Sequence, residues 1–279
     1  LYYPLTAGAN MCIVPSSIRL NLDQINDYYR DNCVTHIFMT TQLARMYATT
    51  LTPPASLRYL MLGGETLVPL DAPEGYTLMN VYGPTECTIF TTTFPLDQNN
   101  RRARIPVGKA LDNFHLYVVG TDGCRVPIGA LGELWASGPQ VSRGYLNRPE
   151  KTAETYLKNP FDHDKDHAVI YRTGDIVRML PDGNVDFIGR RDGQVKIRGF
   201  RIQFSEIEGS LRQYPGIKDA TVQAFDDPSG GKFITAYVVS DSVVDESALA
   251  AFIKQTKPPY MVPAVVMQID AIPLTQNQK

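Results

Sequence analysis

The chain has 279 residues, 43% of them hydrophobic and 20% charged, with a formal net charge of −2. That near balance gives no bulk attraction for nucleic acid or an anionic membrane, and no apolar run approaches the roughly 18 residues of a membrane-spanning helix. The length suits one large and one small domain, the composition is that of a soluble globular protein, and four scattered cysteines fit a reduced, cytoplasmic one.

The run from Leu1 to Pro15 lacks an initiator Met and a signal sequence and opens inside a hydrophobic pattern. It reads as a cut edge, since natural termini are usually polar. Asn21 or Asp23 caps a predicted helix through Arg30, with Leu22, Ile25, Tyr28 and Tyr29 on its apolar side. A buried strand at 35–40, a short helix, a strand at 57–62 ending in Gly63-Gly64 and a strand at 76–79 follow. Strands separated by helices imply a parallel sheet with helices on its faces. From about Thr88 the texture turns to β, with strands at 88–94, 115–119, 132–137, 169–171 and 176–180. Turn sequences at 120–123 and 181–184 separate them, and Pro149 opens a helix to about Leu157.

Beyond 191 the pattern changes. A strand at 194–198 precedes a helix to about Gln213, with Ser205 and Glu208 as a capping box. Strands at 220–225 and 233–239, a helix from Asp245 and a strand near 265–269 complete a β-α-β-β-α-β order. The fold class is therefore α/β, with a β-rich part in a large core (1–191) and a small α+β domain (192–279). Cys12, Cys33, Cys87 and Cys124 lack metal-site spacing and predict buried, reduced thiols, with Cys87 a packing residue.

Three segments carry chemistry. Asn80-Val81-Tyr82-Gly83-Pro84-Thr85-Glu86 turns the chain at a strand's C-terminal end, where open α/β sheets bind ligands. Backbone N–H groups and the Thr85 hydroxyl suit phosphate oxygens. Glu86 suits Mg2+, which takes one or two carboxylates plus substrate phosphates, and Tyr82 suits stacking on a base. Taken alone, a Gly-Pro turn beside a surface carboxylate also explains the segment. Tyr171-Arg172-Thr173-Gly174-Asp175 offers a carboxylate to a ribose diol, and equally reads as a Gly-Asp turn ending a strand. The run from Gly189 to Ile202 interleaves five cations with glycines and apolar residues; it suits a nucleotide or phosphopantetheine, or a solvated strand face.

Gly132-Glu133-Leu134, Ser142-Arg143-Gly144-Tyr145-Leu146, Tyr260-Met261-Val262-Pro263 and the end from Pro273 to Lys279 stand between and after these segments in order. With them the chain closely resembles the adenylate-forming superfamily, above all the amino-acid adenylation domains of nonribosomal peptide synthetases, from about Gly63 to Lys279. The resemblance implies an ATP-dependent, AMP-forming ligase. Such an enzyme joins an amino acid to the α-phosphate of ATP with Mg2+, releases pyrophosphate, and passes the acyl group to the phosphopantetheine thiol of a carrier-protein domain.

By similarity, Tyr82 stacks on adenine in the turn at Gly83, framed by Asn80 and the Gly63-Gly64-Glu65 strand end. Thr85 contacts phosphate, Glu86 holds Mg2+, Asp175 takes the ribose hydroxyls, and Phe187 and Arg190 cover the nucleoside. Asp192 falls at the hinge of a mobile small domain, Lys196 at the basic residue of the thioester step, and Lys279 at the lysine of adenylation. The side-chain pocket falls on Phe38, Met61, Gly63, Val81, Ile89 and Phe90, all apolar or small, which suits an apolar acyl group; core packing explains these residues too. Positioning and fixed positive charge are most of what attack on a polyphosphate requires, so no covalent nucleophile is needed.

The sequence departs from the family pattern at several points. The phosphate loop and the amine-anchoring aspartate lie N-terminal to this region and are absent, so the fragment alone is expected to bind ATP poorly. The usual Asn-Gly-Lys ending is Asn277-Gln278-Lys279, and Phe204-Ser205 replaces Leu-Gly before Glu206. A stand-alone acyl- or aryl-CoA ligase, a D-alanine–carrier-protein ligase, or a non-catalytic domain of the same fold are the alternative readings. In the polar run from His163 to His167, two histidines four apart suit a metal on a helix face, but Pro160 and the density of charge read as a solvated loop.

Overall fold

Alternation of buried and exposed side chains along three short strands sets the first layer. These are β1 (His36–Thr40), β2 (Tyr59–Gly63) and β3 (Thr77–Tyr82), all parallel, with Ile37, Leu60 and Leu78 in one register row. In this computed structural model, residues 2–19, 21–71, 74–96, 102, 104–191, 195–197, 199–227 and 231–273 are described. Ahead of β1 come α1 (Tyr2–Thr6) and α2 (Leu22–Asp31), and α3 (Thr41–Thr50) joins β1 to β2. Of the two candidate caps, Asn21 starts α2: its side chain accepts from the Gln24 N–H.

Ile25 and Tyr29 of α2 and Ala44 and Tyr47 of α3 pack on the Ile37–Leu60–Leu78 side of the sheet. The buried Tyr47 hydroxyl donates to Asn26 Oδ1 (2.6 Å), whose amide donates to the Thr52 carbonyl (2.9 Å), so this polar pair costs no unmet hydrogen bond. β4 (Thr92–Leu96) and β5 (Lys109–Ala110) extend the sheet antiparallel beyond β3, in the order β1-β2-β3-β4-β5.

A second sheet runs β10-β9-β7-β6, from β6 (His115–Val119), β7 (Leu131–Ser137), β9 (Val169–Met179) and β10 (Val185–Arg190). α4 (Pro149–Thr155) ends earlier than predicted because the chain turns into β8 (Tyr156–Lys158), which pairs with β9. The predicted strands 169–171 and 176–180 are one eleven-residue strand, not two.

The chain divides into two compact units, Leu1–Gly189 and Arg190–Lys279. The second holds β11 (Val195–Ile197), β12 (Phe200–Ile202), α5 (Phe204–Leu211), β13 (Ile217–Asp226), β14 (Lys232–Ser240), α6 (Glu246–Thr256) and β15 (Val265–Gln268). Its first predicted strand is a hairpin, β11 against β12, and its core gathers Ile202, Ile207, Leu211, Ala236, Val238, Leu249 and Ile253.

The capping box at Ser205 and Glu208 does not form: the N-cap lies two residues earlier, at Gln203, with no side-chain cap. Glu208 instead accepts from the Val222 N–H and the Thr221 hydroxyl (3.1 Å each), both on the edge strand β13. The cysteine expectation also needs correction. Cys87 alone is buried; Cys12, Cys33 and Cys124 lie exposed in connecting segments. His163 is exposed as expected of a solvated loop, but His167 is buried. No helix among the described residues is long and apolar enough to cross a membrane.

Candidate functional site

The site grows from the C-terminal end of β3. There Gly83 leaves no room for a side chain: a Cβ would meet the Ile89 carbonyl and come within 2.8 Å of the Phe90 Cα. The loop from 83 to 90 therefore folds back on itself, and the Thr91 N–H donates to the Tyr82 carbonyl at 2.7 Å. A 3-10 turn at Thr85–Cys87 leaves Thr85 exposed and turns Glu86 inward, 8% exposed. The Tyr145 hydroxyl donates to Glu86 Oε1 at 2.7 Å, and the Ser142 N–H donates to the Glu86 carbonyl at 2.8 Å. Burial, then the hydrogen bond to Glu86, pushes the Tyr145 phenol well above its ordinary pKa, so it stays a donor.

The second contribution comes from a β-bulge. The β7–β9 register shifts between Glu133 and Trp135, and Gly174 adopts φ +73°, a conformation glycine takes at no steric cost. The Gly174 N–H donates to Glu133 Oε1 (3.1 Å), Arg172 pairs with Glu133 Oε2 (3.1 Å), and the Thr173 hydroxyl donates to the Leu134 carbonyl (2.7 Å). Asp175, 5% exposed, is thus placed by a bulge inside a strand and not by the predicted terminal turn, and it accepts a short hydrogen bond from the Tyr82 hydroxyl. Burial first, and the Asp175 charge second, raise the Tyr82 phenol far above its usual value. The Tyr82 and Phe187 rings lie 6.4 Å apart, tilted by 38°.

The remaining expected residues sort by sheet face. Register pairs Phe38 with Met61 and Gly63 with Val81, and the Phe38 and Phe90 rings meet at 5.7 Å. Phe38 is 52% exposed and the loop residue Ile89 57%, while Gly63 and Val81, on the same sheet face as Phe38, are buried. Gly63 is required by crowding as well as by any pocket: a Cβ would sit 2.5 Å from the Val81 carbonyl. Gly64 has φ +106°, and Glu65 is tied to the α3 start by its N–H and carbonyl to Thr41 Oγ1 (3.3 and 3.2 Å).

Asn80, expected to frame a base, is 3% exposed on the core side and donates to the Pro106 carbonyl at 2.8 Å; it clamps the 105–107 segment. Arg190 and Lys196 belong to the second unit, with Lys196 opposite Arg201 in β11–β12. Asp192 and Lys279 lie outside the described residues. Tyr145 and Glu133 are supporting residues that the sequence does not announce. Their segments stand out only as ordered motifs, since no local spacing signals a hydrogen bond spanning 59 residues.

AMP-binding enzymes match residues 1–146, and the AMP-binding enzyme C-terminal domain matches residues 206–279. The chain belongs to the AMP-binding enzyme family. This AMP-binding chain is 40% identical over 279 residues to bacitracin synthase 1 of Bacillus licheniformis, covering 100% of itself and 5% of that protein. It is 38% identical to tyrocidine synthase 3 of Brevibacillus parabrevis (100% and 4% covered) and 38% identical to surfactin synthase subunit 2 of Bacillus subtilis (98% and 7%). It therefore spans a small part of each of these relatives. Among solved structures, the amide bond synthetase McbA of Marinactinospora thermotolerans superposes with a TM-score of 0.80 at 24% identity, over 93% of this chain and 53% of that one, which shows the adenylate-forming fold. A nonribosomal peptide synthetase protein containing adenylation and PCP domains gives 0.77 at 25% identity, over 92% and 45%.

Proposed function

We propose that the protein containing this chain activates an amino acid as its aminoacyl-adenylate and loads it onto the phosphopantetheine thiol of a carrier-protein domain. A carboxylate oxygen of the substrate attacks the α-phosphorus of ATP, the α–β phosphoanhydride breaks and pyrophosphate leaves. The carrier thiolate then attacks the acyl carbon and AMP leaves. The observation that carries this reading is the convergence of Glu86, Tyr82 and Asp175 at the end of β3 and the bulge of β9, in a chain whose relatives include peptide synthases matched along its whole length.

The donor set fits an ATP–Mg2+ ligand. Glu86 is a buried carboxylate already fixed in orientation by Tyr145, and Mg2+ takes one or two carboxylates plus phosphate oxygens. Magnesium bound there would offset polyphosphate charge, and the exposed Thr85 hydroxyl at the same turn would bind phosphate. Asp175 supplies the carboxylate for a ribose diol. Tyr82 and Phe187 supply aromatic surface for the base, with Gly64, Glu65 and Gly83 shaping the strand ends and Arg190 on the nucleoside. Phe38, Met61, Gly63, Val81, Ile89 and Phe90 suit an apolar substrate side chain. Lys279 is assigned to adenylation, Lys196 to the thioester step, and Asp192 to the hinge.

Amino-acid-dependent ATP–pyrophosphate exchange on the full-length protein tests the proposal across a panel of carboxylates. Exchange should follow one apolar amino acid and fall by on the order of 10²–10³ in Lys279→Ala, the usual cost of one preorganised charge contact. Silence across the panel together with no ATP binding would sink the enzymatic reading.

A further inference from the structure

A second cluster lies in the first unit and takes no part in the chemistry above. His115 at the start of β6, Asp162 in the loop after β8 and His167 in a 3-10 turn (Lys165–His167) each place one donor atom within 4.8 Å of the other two. Among the described residues this is the one such group. Local bonds fix its members. Asp162 Oδ1 accepts from the Asp164 N–H (2.9 Å), and Oδ2 meets His115 Nδ1 at 2.8 Å. His167 is buried, with Nδ1 3.1 Å from the Ser137 hydroxyl and its carbonyl accepting from the Asn159 amide (2.8 Å). The two imidazoles stack at 3.8 Å with planes 5° apart.

An open cleft of about 420 Å³, lined in part by His115, Tyr117, Arg125 and Phe161, borders the cluster.

We propose that His115, Asp162 and His167 bind a divalent transition metal of the zinc class. Two imidazoles and a carboxylate suit zinc and its neighbours over magnesium or calcium. Three protein donors with a fourth position left to solvent match exchangeable zinc sites. Bonds of roughly 2.0–2.2 Å in a tetrahedron need the donors to close in and the stacked rings to tilt until their lone pairs converge. His115, 51% exposed at a strand end, is the residue able to turn.

The full chain, stripped of metal by chelation, should be titrated with Co(II) and then Zn(II). Four-coordinate ligand-field absorption saturating at one equivalent, and bleached by zinc, is the expected result. Asp162→Asn and His115→Ala should each weaken binding by at least about 10–100-fold, since losing even an outer-shell partner costs that much, and His163→Ala, exposed nearby, should not. Because a variant can fail to fold, imidazole nitrogen NMR of the unaltered chain provides a second reading over its four histidines. Zinc should shift His115 and His167 and leave His36 and His163 in place. Absent absorption bands, equal weakening in His163→Ala, or shifts shared by all four histidines would overturn the assignment.

Discussion

At the residue scale, Glu86 shows how a metal-binding carboxylate is made directional. A carboxylate alone at a turn samples several rotamers; the Tyr145 hydroxyl 2.7 Å from Oε1 selects one. A hydrogen bond to a charged group contributes about 1.5–3 kcal/mol. On the proposed function, Tyr145→Phe should raise the Mg2+ concentration for half-maximal pyrophosphate exchange by about tenfold, with amino-acid specificity unchanged. An unaltered Mg2+ requirement would show that Tyr145 only packs there. Cys87 makes an independent case. Burial lifts its thiol to about 12, and the thiolate is the nucleophile. Native alkylation at mild pH should therefore modify the exposed Cys12, Cys33 and Cys124 and spare Cys87 until the chain is denatured, as mass spectrometry can count. Early labelling of Cys87 would mean that the loop from 83 to 90 opens readily.

At the element scale, what was legible and what was not follow from the range of the forces involved. Asn21 and Asp245 cap helices within three residues of themselves, so their signals are local and readable. The same reasoning fails at Ser205 and Glu208, because a donor on edge strand β13 competes for the Glu208 carboxylate. The β9 bulge was illegible for a similar reason: Gly174 is accommodated by Glu133 across the sheet, 41 residues away. Replacing Glu208 by Ala should leave the Val222 N–H with one partner fewer and cost about 1–3 kcal/mol in urea unfolding. Nearby, Arg212 and then the Ala220 N–H lower the Asp219 carboxyl from its ordinary value. Its folded pKa is depressed, so the contribution is full above the unfolded pKa near 4 and is lost as pH falls through the folded one. Asp219→Asn should flatten the acid limb of the urea midpoint against pH, and a midpoint that still falls as steeply would assign that limb to other carboxylates.

For the whole molecule, the change of texture near 191 is a compositional signal of two cores, and the units Leu1–Gly189 and Arg190–Lys279 each bury their own apolar residues. In the second, both helices and the described strands converge on Ile207, Leu211, Leu249 and Ile253, all essentially inaccessible. A unit of about 90 residues exceeds the 55–65 residues at which many domains already fold alone. Residues 190–279 expressed by themselves should therefore unfold in one cooperative urea transition with a slope of about 1 kcal/mol/M, as small domains do. Ile207 is the residue to probe, because it lies at 0% exposure where α5 meets the sheet. Ile207→Ala should lower the transition by about 2–5 kcal/mol with the slope unchanged, since the surface exposed on unfolding is nearly the same. A broad, non-cooperative melt of the isolated unit would mean that its core depends on the rest of the chain. A cooperative melt insensitive to Ile207→Ala would mean that the core is organised around other side chains.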